Sequence, residues 1–396
     1  MIETLGCKLN QSESETMWRD LTAAGYSMVN RGEYCDVLIL NSCTVTQIAD
    51  RKARQTIRAA AISNPDIKII VTGCYAQRTK ESLYTLPGVI MVEGNAAKAK
   101  MPESLRRLGC TPDDIHFRST LFPHNRSLIK IQDGCDQHCA YCIVPLVRPK
   151  KSCVNPKSII NQINLRQADG CREVVLTGTE IGEYQSDGLD LTGLLDRILT
   201  ETSVERIRIS SLQPKELSEK LIDLWRNTRL CRHFHLSLQS GTDNVLRRMR
   251  RRYTTNDYRR TVDMIRAVVP NAGITTDIIT GFPGETDEDF EASFQFIDNI
   301  GFARLHVFPF SPRPGTAAAT MPGRLNAEVL KARSARLRRL AQRCETGFKQ
   351  SCNGLTLEVL IEEYKDNKWV GYTDNYIRVA LQSDTPLNNQ IISVLM

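Results

Sequence analysis

The sequence predicts an α/β protein in three parts: an amino-terminal parallel-sheet domain, a central partial (β/α)6 barrel and a small carboxyl-terminal β-barrel. Three observations predict it. Within the first hundred residues, apolar runs alternate with helical patterns, and three of those runs end at a cysteine: Cys7, Cys43 and Cys74. From Leu128 a second set of six alternations begins. Beyond Cys352 the pattern changes to short alternating strands. We expect domains over 1–115, 116–350 and 351–396.

Composition narrows the classes. The chain has 396 residues and is 41% hydrophobic, enough to bury two or three cores. No apolar run approaches the ~18 residues of a membrane span, and no charged-then-apolar leader is visible, so a cytoplasmic, membrane-free protein is expected. Thirteen cysteines in a reducing compartment point to metal or redox chemistry rather than disulfides. A net charge of +7 is compatible with a nucleic-acid partner.

The elements follow in order. A short strand runs from Ile2 to Cys7. Ser12 and Glu15 have capping-box spacing, Met17, Trp18 and Leu21 form an apolar helical face, and Gly25 supplies a stop. Asp36–Leu40 reads as a continuous buried strand leading to Cys43; a helix is expected from about Asp50 to Ile62; Ile67–Val71 leads to Cys74. Such units imply a parallel sheet with right-handed crossovers, whose strands end along one edge. Cysteines 36 and 31 residues apart would then converge. One cysteine after a strand could be a small buried filler. Three in equivalent places favour an iron–sulfur site.

A linker containing Pro102, Pro112 and Pro123 precedes the second set. Its expected strands are Leu128–Asp133, Glu173–Thr177, Arg206–Ser211, His233–Leu238, Ile274–Ile279 and Arg304–Phe308, with helical patterns between them. In a barrel of this kind the chemistry sits at the carboxyl ends of the strands. Just past the first strand lie Cys135, Cys139 and Cys142, spaced C-x3-C-x2-C, with Tyr141 before the last. Three thiolates on one short loop can hold three irons of a [4Fe–4S] cube and leave the fourth open for a chelating small molecule. Zinc with His138 as a fourth ligand is the competing assignment, on a loop tight for one ion.

This spacing resembles the signature of radical S-adenosylmethionine (SAM) enzymes. The stretches around Cys7, Cys43 and Cys74, namely TLGCKLNQ, NSCTVT and VTGCYAQR, are similar to the amino-terminal domain of the methylthiotransferases within that superfamily. The first strand here is shorter than that family's. The resemblance implies two [4Fe–4S] clusters, one on Cys7, Cys43 and Cys74 and one on Cys135, Cys139 and Cys142, with SAM on the second. It implies one-electron cleavage of SAM to methionine and a 5′-deoxyadenosyl radical, and transfer of a methylthio group from the first cluster. An electron donor of flavodoxin or ferredoxin type and a sulfur donor are implied partners. SAM contacts are expected from Tyr141, Gly178, Glu180, Ser211, Gln239 and Gly281, where a carboxylate at Glu180 suits the SAM ammonium. No further catalytic side chain is nominated.

Among the methylthiotransferases, Ala49-Asp50-Arg51-Lys52 and the Cys74–Arg78 run resemble the subgroup acting at C2 of N6-threonylcarbamoyladenosine, position 37 of tRNA, beside the anticodon. The isopentenyladenosine and ribosomal-protein subgroups are the alternatives; a non-catalytic iron–sulfur or zinc RNA-binding protein is the alternative of another class. Arg148, Lys150 and Arg251 are expected at RNA phosphates. A basic helix from Leu325 to about Phe348 is a weaker candidate. The short carboxyl-terminal strands stand where this family carries its RNA-binding TRAM barrel.

Overall fold

The computed structural model describes residues 1–112 and 125–396; the expected boundary at 115/116 lies outside them. Residues 2–92 carry a parallel sheet of Ile2–Thr4, Val37–Ser42, Lys68–Gly73 and Val89–Val92, in that order. Its strands read as unbroken apolar runs because both faces are covered. Leu38 and Leu40 pack on Ala53 and Ile57 of the helix Gln47–Ser63. Ile39 and Ile70 face the other way, onto Met17, Trp18 and Leu21 of the helix Lys8–Ala23.

That helix begins earlier than expected. Cys7 is its N-cap, and Ser12 and Glu15 lie buried inside it rather than capping it. Gly6, at φ +110°, makes the abrupt strand-to-helix passage; a Cβ there would stand 2.5 Å from the Cys43 Cβ. The helix Gln47–Ser63 likewise starts ahead of Asp50, because the Thr46 hydroxyl accepts from the Ala49 N–H.

Six parallel strands follow. Arg126–Lys130 pairs with Glu173–Thr177, and this with Arg206–Ile209. The third strand breaks at Ser210 and resumes as Ser211–Leu212, which pairs with His233–Leu236; Gly273–Thr280 and Arg304–Pro309 complete the set. The break divides the hydrogen bonding into a three-stranded and a four-stranded sheet around one large core. Between Leu212 and His233 the helix is a short one, Glu219–Asp223, flanked by 3-10 turns.

No ladder joins the first of these strands to the last. The amino-terminal domain lies along that gap. Ser12 donates to the Leu128 carbonyl at 2.7 Å, and Glu15 accepts from the Ser127 hydroxyl at 2.6 Å. At the other margin Arg313 donates to Thr44 at 2.8 Å and to Asp50 at 2.6 Å.

The carboxyl-terminal part corrects an expectation. It is an open antiparallel sheet in the order Arg378–Leu381, Lys368–Thr373, Thr356–Lys365, Ile391–Leu395, not a closed barrel. Four strands are too few to close; the outer two stay at opposite edges. The sheet sits against the amino ends of the barrel strands, with Arg126 paired to Glu362 at 2.7 Å and Arg232 to Asp374 at 2.6 Å. No described helix is long and apolar enough to cross a membrane.

Candidate functional site

The parallel amino-terminal sheet delivers three cysteines to one edge. Cys7 follows the first strand, Cys43 the second, and Cys74 starts the helix Cys74–Arg78 directly after the third. They are electrostatic neighbours: Cys7 and Cys74 each raise the proton affinity of Cys43. Burial, the larger cause, pushes the Cys43 thiol up to about 12. Burial also raises the Cys7 thiol, although the residue keeps solvent access.

The second group hangs on the loop after the first barrel strand. Gly134, at φ +75°, turns that loop so closely under Lys150 that a Cβ would lie 2.2 Å from its carbonyl oxygen. The Cys142 N–H then closes a turn onto the Cys139 carbonyl at 3.0 Å, and the Ala140 N–H reaches the Met249 carbonyl at 2.9 Å. Burial raises the Cys142 thiol to about 11 and the Cys135 thiol higher still, where Glu180 adds to the effect. Thiols this basic stay protonated in water, so metal binding there must expel protons.

The two groups adjoin. Cys74 packs on Ile143 and Val147, immediately beyond Cys142. Arg148 spans them: its Nε donates to the Cys74 sulfur at 3.3 Å and its Nη1 to Asp133 at 2.7 Å, two residues before Cys135. Glu13 takes two more of its N–H bonds, each at 2.8 Å, and Asn10 another at 3.0 Å. Lys98 and Lys130 also pair with Glu13, and together with Arg148 they hold its carboxyl well below the usual range despite burial.

The donor sets suit clusters better than single ions. Each trio supplies three thiols from one edge or one loop. Four sulfurs on one zinc, bonded at ~2.3 Å, would stand ~3.8 Å apart. A set of three thiols fits a cube with one open corner.

The other expected residues fall into three places. Glu180 lies beside the second group, with one carboxylate oxygen 3.3 Å from the Cys135 sulfur and the other accepting from Gln213 at 2.9 Å. Its backbone is fixed by Gln132, whose side-chain oxygen accepts from the Thr179 and Glu180 N–H groups. Gly178 lies against Gln132, where a Cβ would be 2.7 Å from its carbonyl oxygen, and Tyr141 is half-buried beside Cys142. Ser211 is exposed at the strand break. Gln239, at φ +70°, exchanges backbone bonds with Asp277 and Ile279. Gly281 donates its N–H to Glu285.

Two of the three residues expected at RNA are instead engaged by protein groups. Arg148 is 5% exposed and fully engaged as described. Arg251 donates to the Cys139 sulfur at 3.2 Å and to Gln213 at 3.1 Å, with its guanidinium over the Tyr253 ring. Lys150 is exposed. In the basic helix, which spans Ala327–Ser351, Arg333, Arg336 and Arg343 pair with Glu285, Glu291 and Asp298. Glu13, Asp133 and Gln213 complete the site, and only the first follows from a local cue: it lies on the helix that Cys7 opens.

A parallel partial barrel with a three-cysteine loop after its first strand defines a radical SAM enzyme. Residues 129–297 match the family model described as Radical SAM superfamily, and residues 1–94 that described as Uncharacterized protein family UPF0004. The chain belongs to the radical SAM methylthiotransferase family. It is 34% identical to a Bacillus subtilis protein named threonylcarbamoyladenosine tRNA methylthiotransferase MtaB, over 99% of this chain and 92% of that one. It is 36% identical to a Thermotoga maritima protein of the same name, over 95% and 90%. A protein of Endomicrobium trichonymphae named tRNA-2-methylthio-N(6)-dimethylallyladenosine synthase is 34% identical, over 92% and 89%. In fold the chain resembles the radical SAM methyltransferase TsrM of Kitasatospora setae, with a TM-score of 0.54 at 14% identity, covering 78% of this chain and 69% of that one.

Proposed function

We propose that this chain attaches a methylthio group to C2 of N6-threonylcarbamoyladenosine at position 37 of tRNA. The observation that carries the reading is the contact between the two cysteine trios, with Arg148 donating to Cys74 on one side and to the Cys135 loop on the other. Cys7, Cys43 and Cys74 would hold one [4Fe–4S] cluster, and Cys135, Cys139 and Cys142 the other. Bound with SAM, these groups supply the radical and sulfur chemistry that an unactivated aromatic C–H demands.

The protein's own residues position and shield. Glu180 presents a carboxylate beside Cys135, where a ligand's ammonium at an open iron would find its counter-charge. Arg251 and Arg148 each donate to a cluster cysteine, which fixes the sulfur's orientation and draws charge from it. The amino-terminal domain covers the barrel's open side and so excludes water from the reacting carbon. An electron donor of flavodoxin or ferredoxin type and a separate sulfur donor complete the reaction. For tRNA, exposed Lys150, Arg247, Arg250 and Arg252 offer phosphate contacts near the mouth, and Lys365, Lys368 and Arg378 offer them on the carboxyl-terminal sheet, which we read as a reduced counterpart of the family's RNA-binding module.

The threonylcarbamoyl substrate follows the names of the Bacillus and Thermotoga relatives; the Endomicrobium relative favours a prenylated adenosine as the second reading. Mass spectrometry of tRNA nucleosides decides between them, in a host lacking its own such enzymes, with and without this gene. A methylthio adduct on threonylcarbamoyladenosine is expected. An adduct on the prenylated base moves the assignment to the second reading, and no adduct on either ends it.

A further inference from the structure

Besides Arg148, a second strut joins the two cysteine groups. It is the segment 311–318, which follows the last barrel strand. At one end the Ala318 N–H donates to the Ala140 carbonyl, between Cys139 and Cys142, at 2.7 Å. Both alanines are buried and pack with Val245, Met249 and Phe282. Gly315, at φ +89°, lies against Leu146 of the short helix Val144–Val147 that follows Cys142. At the other end the segment meets the residues just after Cys43. The Gln47 N–H donates to the Ser311 hydroxyl at 3.1 Å, and Arg313 reaches Thr44 and Asp50. The two ends are held in one piece, because the Thr316 N–H and hydroxyl both donate to the Arg313 carbonyl, at 3.1 and 2.8 Å.

The Cys43 end is a closed node of charge. Arg313, Thr44 and Asp50 are all buried. The Thr44 hydroxyl donates to Asp50 at 2.6 Å and accepts from Arg78 at 2.9 Å and Arg313 at 2.8 Å, which fills its one donor and two acceptor positions. Asp50 pairs with both guanidinium groups, each at 2.6 Å. Two cations on one buried carboxylate leave a positive charge uncompensated there, and the buried Arg313 Nε has no hydrogen-bond partner among the described residues. Apolar side chains would fasten the two domains at lower cost. What the node supplies is direction: its short, charge-assisted bonds fix where the residue after Cys43 stands.

We propose that Arg313 is a positioning residue, which through Thr44 holds Cys43 at a set place relative to the Cys135–Cys142 loop. The proposal rests on the methylthiotransferase reading and deepens it. Under that reading, cleaving SAM needs only the trio Cys135, Cys139 and Cys142, whereas joining sulfur to carbon needs both trios in register around one substrate. Arg313 governs the second event and not the first. A misplacement of ~1 Å is enough to cost such a step ~100-fold.

The test compares reconstituted wild type with Arg313→Gln, on an anticodon stem-loop RNA carrying N6-threonylcarbamoyladenosine at position 37. Two quantities are read: methylthio product formed per 5′-deoxyadenosine released, and the distance distribution between the two reduced clusters by pulsed dipolar EPR. Arg313→Gln should keep its iron and its release of 5′-deoxyadenosine. Its product ratio should fall at least about tenfold, and the single narrow distance of the wild type should spread. Arg313→Lys should show the same changes in smaller measure, because an ammonium still pairs with Asp50, and it decides the matter should Arg313→Gln fail to fold. An unchanged ratio or an unchanged distance distribution overturns the proposal. So does a loss of iron, or a parallel loss of product and 5′-deoxyadenosine, either of which would make Arg313 an ordinary structural contact. In each of these cases a wild type that methylthiolates the RNA leaves the functional reading standing. A wild type that forms no product on this RNA or on its isopentenyladenosine counterpart removes the reading and the proposal together.

Discussion

Arg148 shows how far a residue's role can depart from its type. Read along the chain, it is a cation near other cations, Lys150 and Lys151, beside a cluster loop. In the fold it meets Glu13, 135 residues away, and Cys74, 74 residues away. Nothing in local spacing encodes those partners, so its burial could not be read from the sequence; the same holds for Arg251 and Cys139, 112 residues apart. Removing the charge should be expensive, because buried Glu13 and half-buried Asp133 would be left with less compensation. Arg148→Met should lose roughly 3–5 kcal/mol of stability, measured by denaturant unfolding of the cluster-free protein. An unchanged midpoint would mean that this node does not tie the two domains together.

At the scale of elements, the cysteines were the legible part and the turns around them were not. Three strands ending in cysteine, and a C-x3-C-x2-C loop after a fourth, are local patterns, and each survives as placed. The helix Lys8–Ala23 starts ahead of Ser12 and Glu15, which have the spacing of a cap but hydrogen-bond instead with Leu128 and Ser127 of another domain. The carboxyl-terminal strands showed their alternation but not their closure, which depends on strand number and edge pairing rather than on any one strand. Gly134 carries an element-scale prediction. Its φ of +75° and the 2.2 Å approach of Lys150 exclude a side chain. Gly134→Ala should cost the Cys135–Cys142 loop its cluster and leave the other, so iron should fall by about half, assayed by iron content after anaerobic reconstitution. Full iron in that variant would show that the loop tolerates a reshaped turn.

Over the whole molecule, the carboxyl-terminal sheet and the barrel are joined by charge at the barrel floor. Despite its burial, Glu173 is held at about 2 by Arg208, Arg206 and Arg126. The unfolded chain binds that proton near the ordinary carboxylate pKa of ~4.3, so the contribution is complete above that pH and is lost as pH falls toward 2. It amounts to ~3 kcal/mol at neutral pH by the ~1.4 kcal/mol per pKa unit rule. Acid unfolding followed by circular dichroism should therefore steepen between about pH 4.5 and 2, and Glu173→Gln should flatten that segment while lowering stability at neutral pH. Identical acid profiles for the two proteins would remove Glu173 from the floor's energetics.

The two proposed iron-binding trios adjoin where Cys74 packs on Ile143 and Val147. Iron and Mössbauer analysis of the reconstituted chain tests them most directly, comparing wild type with a Cys7→Ala/Cys43→Ala/Cys74→Ala variant and a Cys135→Ala/Cys139→Ala/Cys142→Ala variant. The structure predicts about eight irons for the wild type and about four, all in one cube, for each variant. A wild type with about four irons, unchanged when Cys7, Cys43 and Cys74 are replaced, would contradict it.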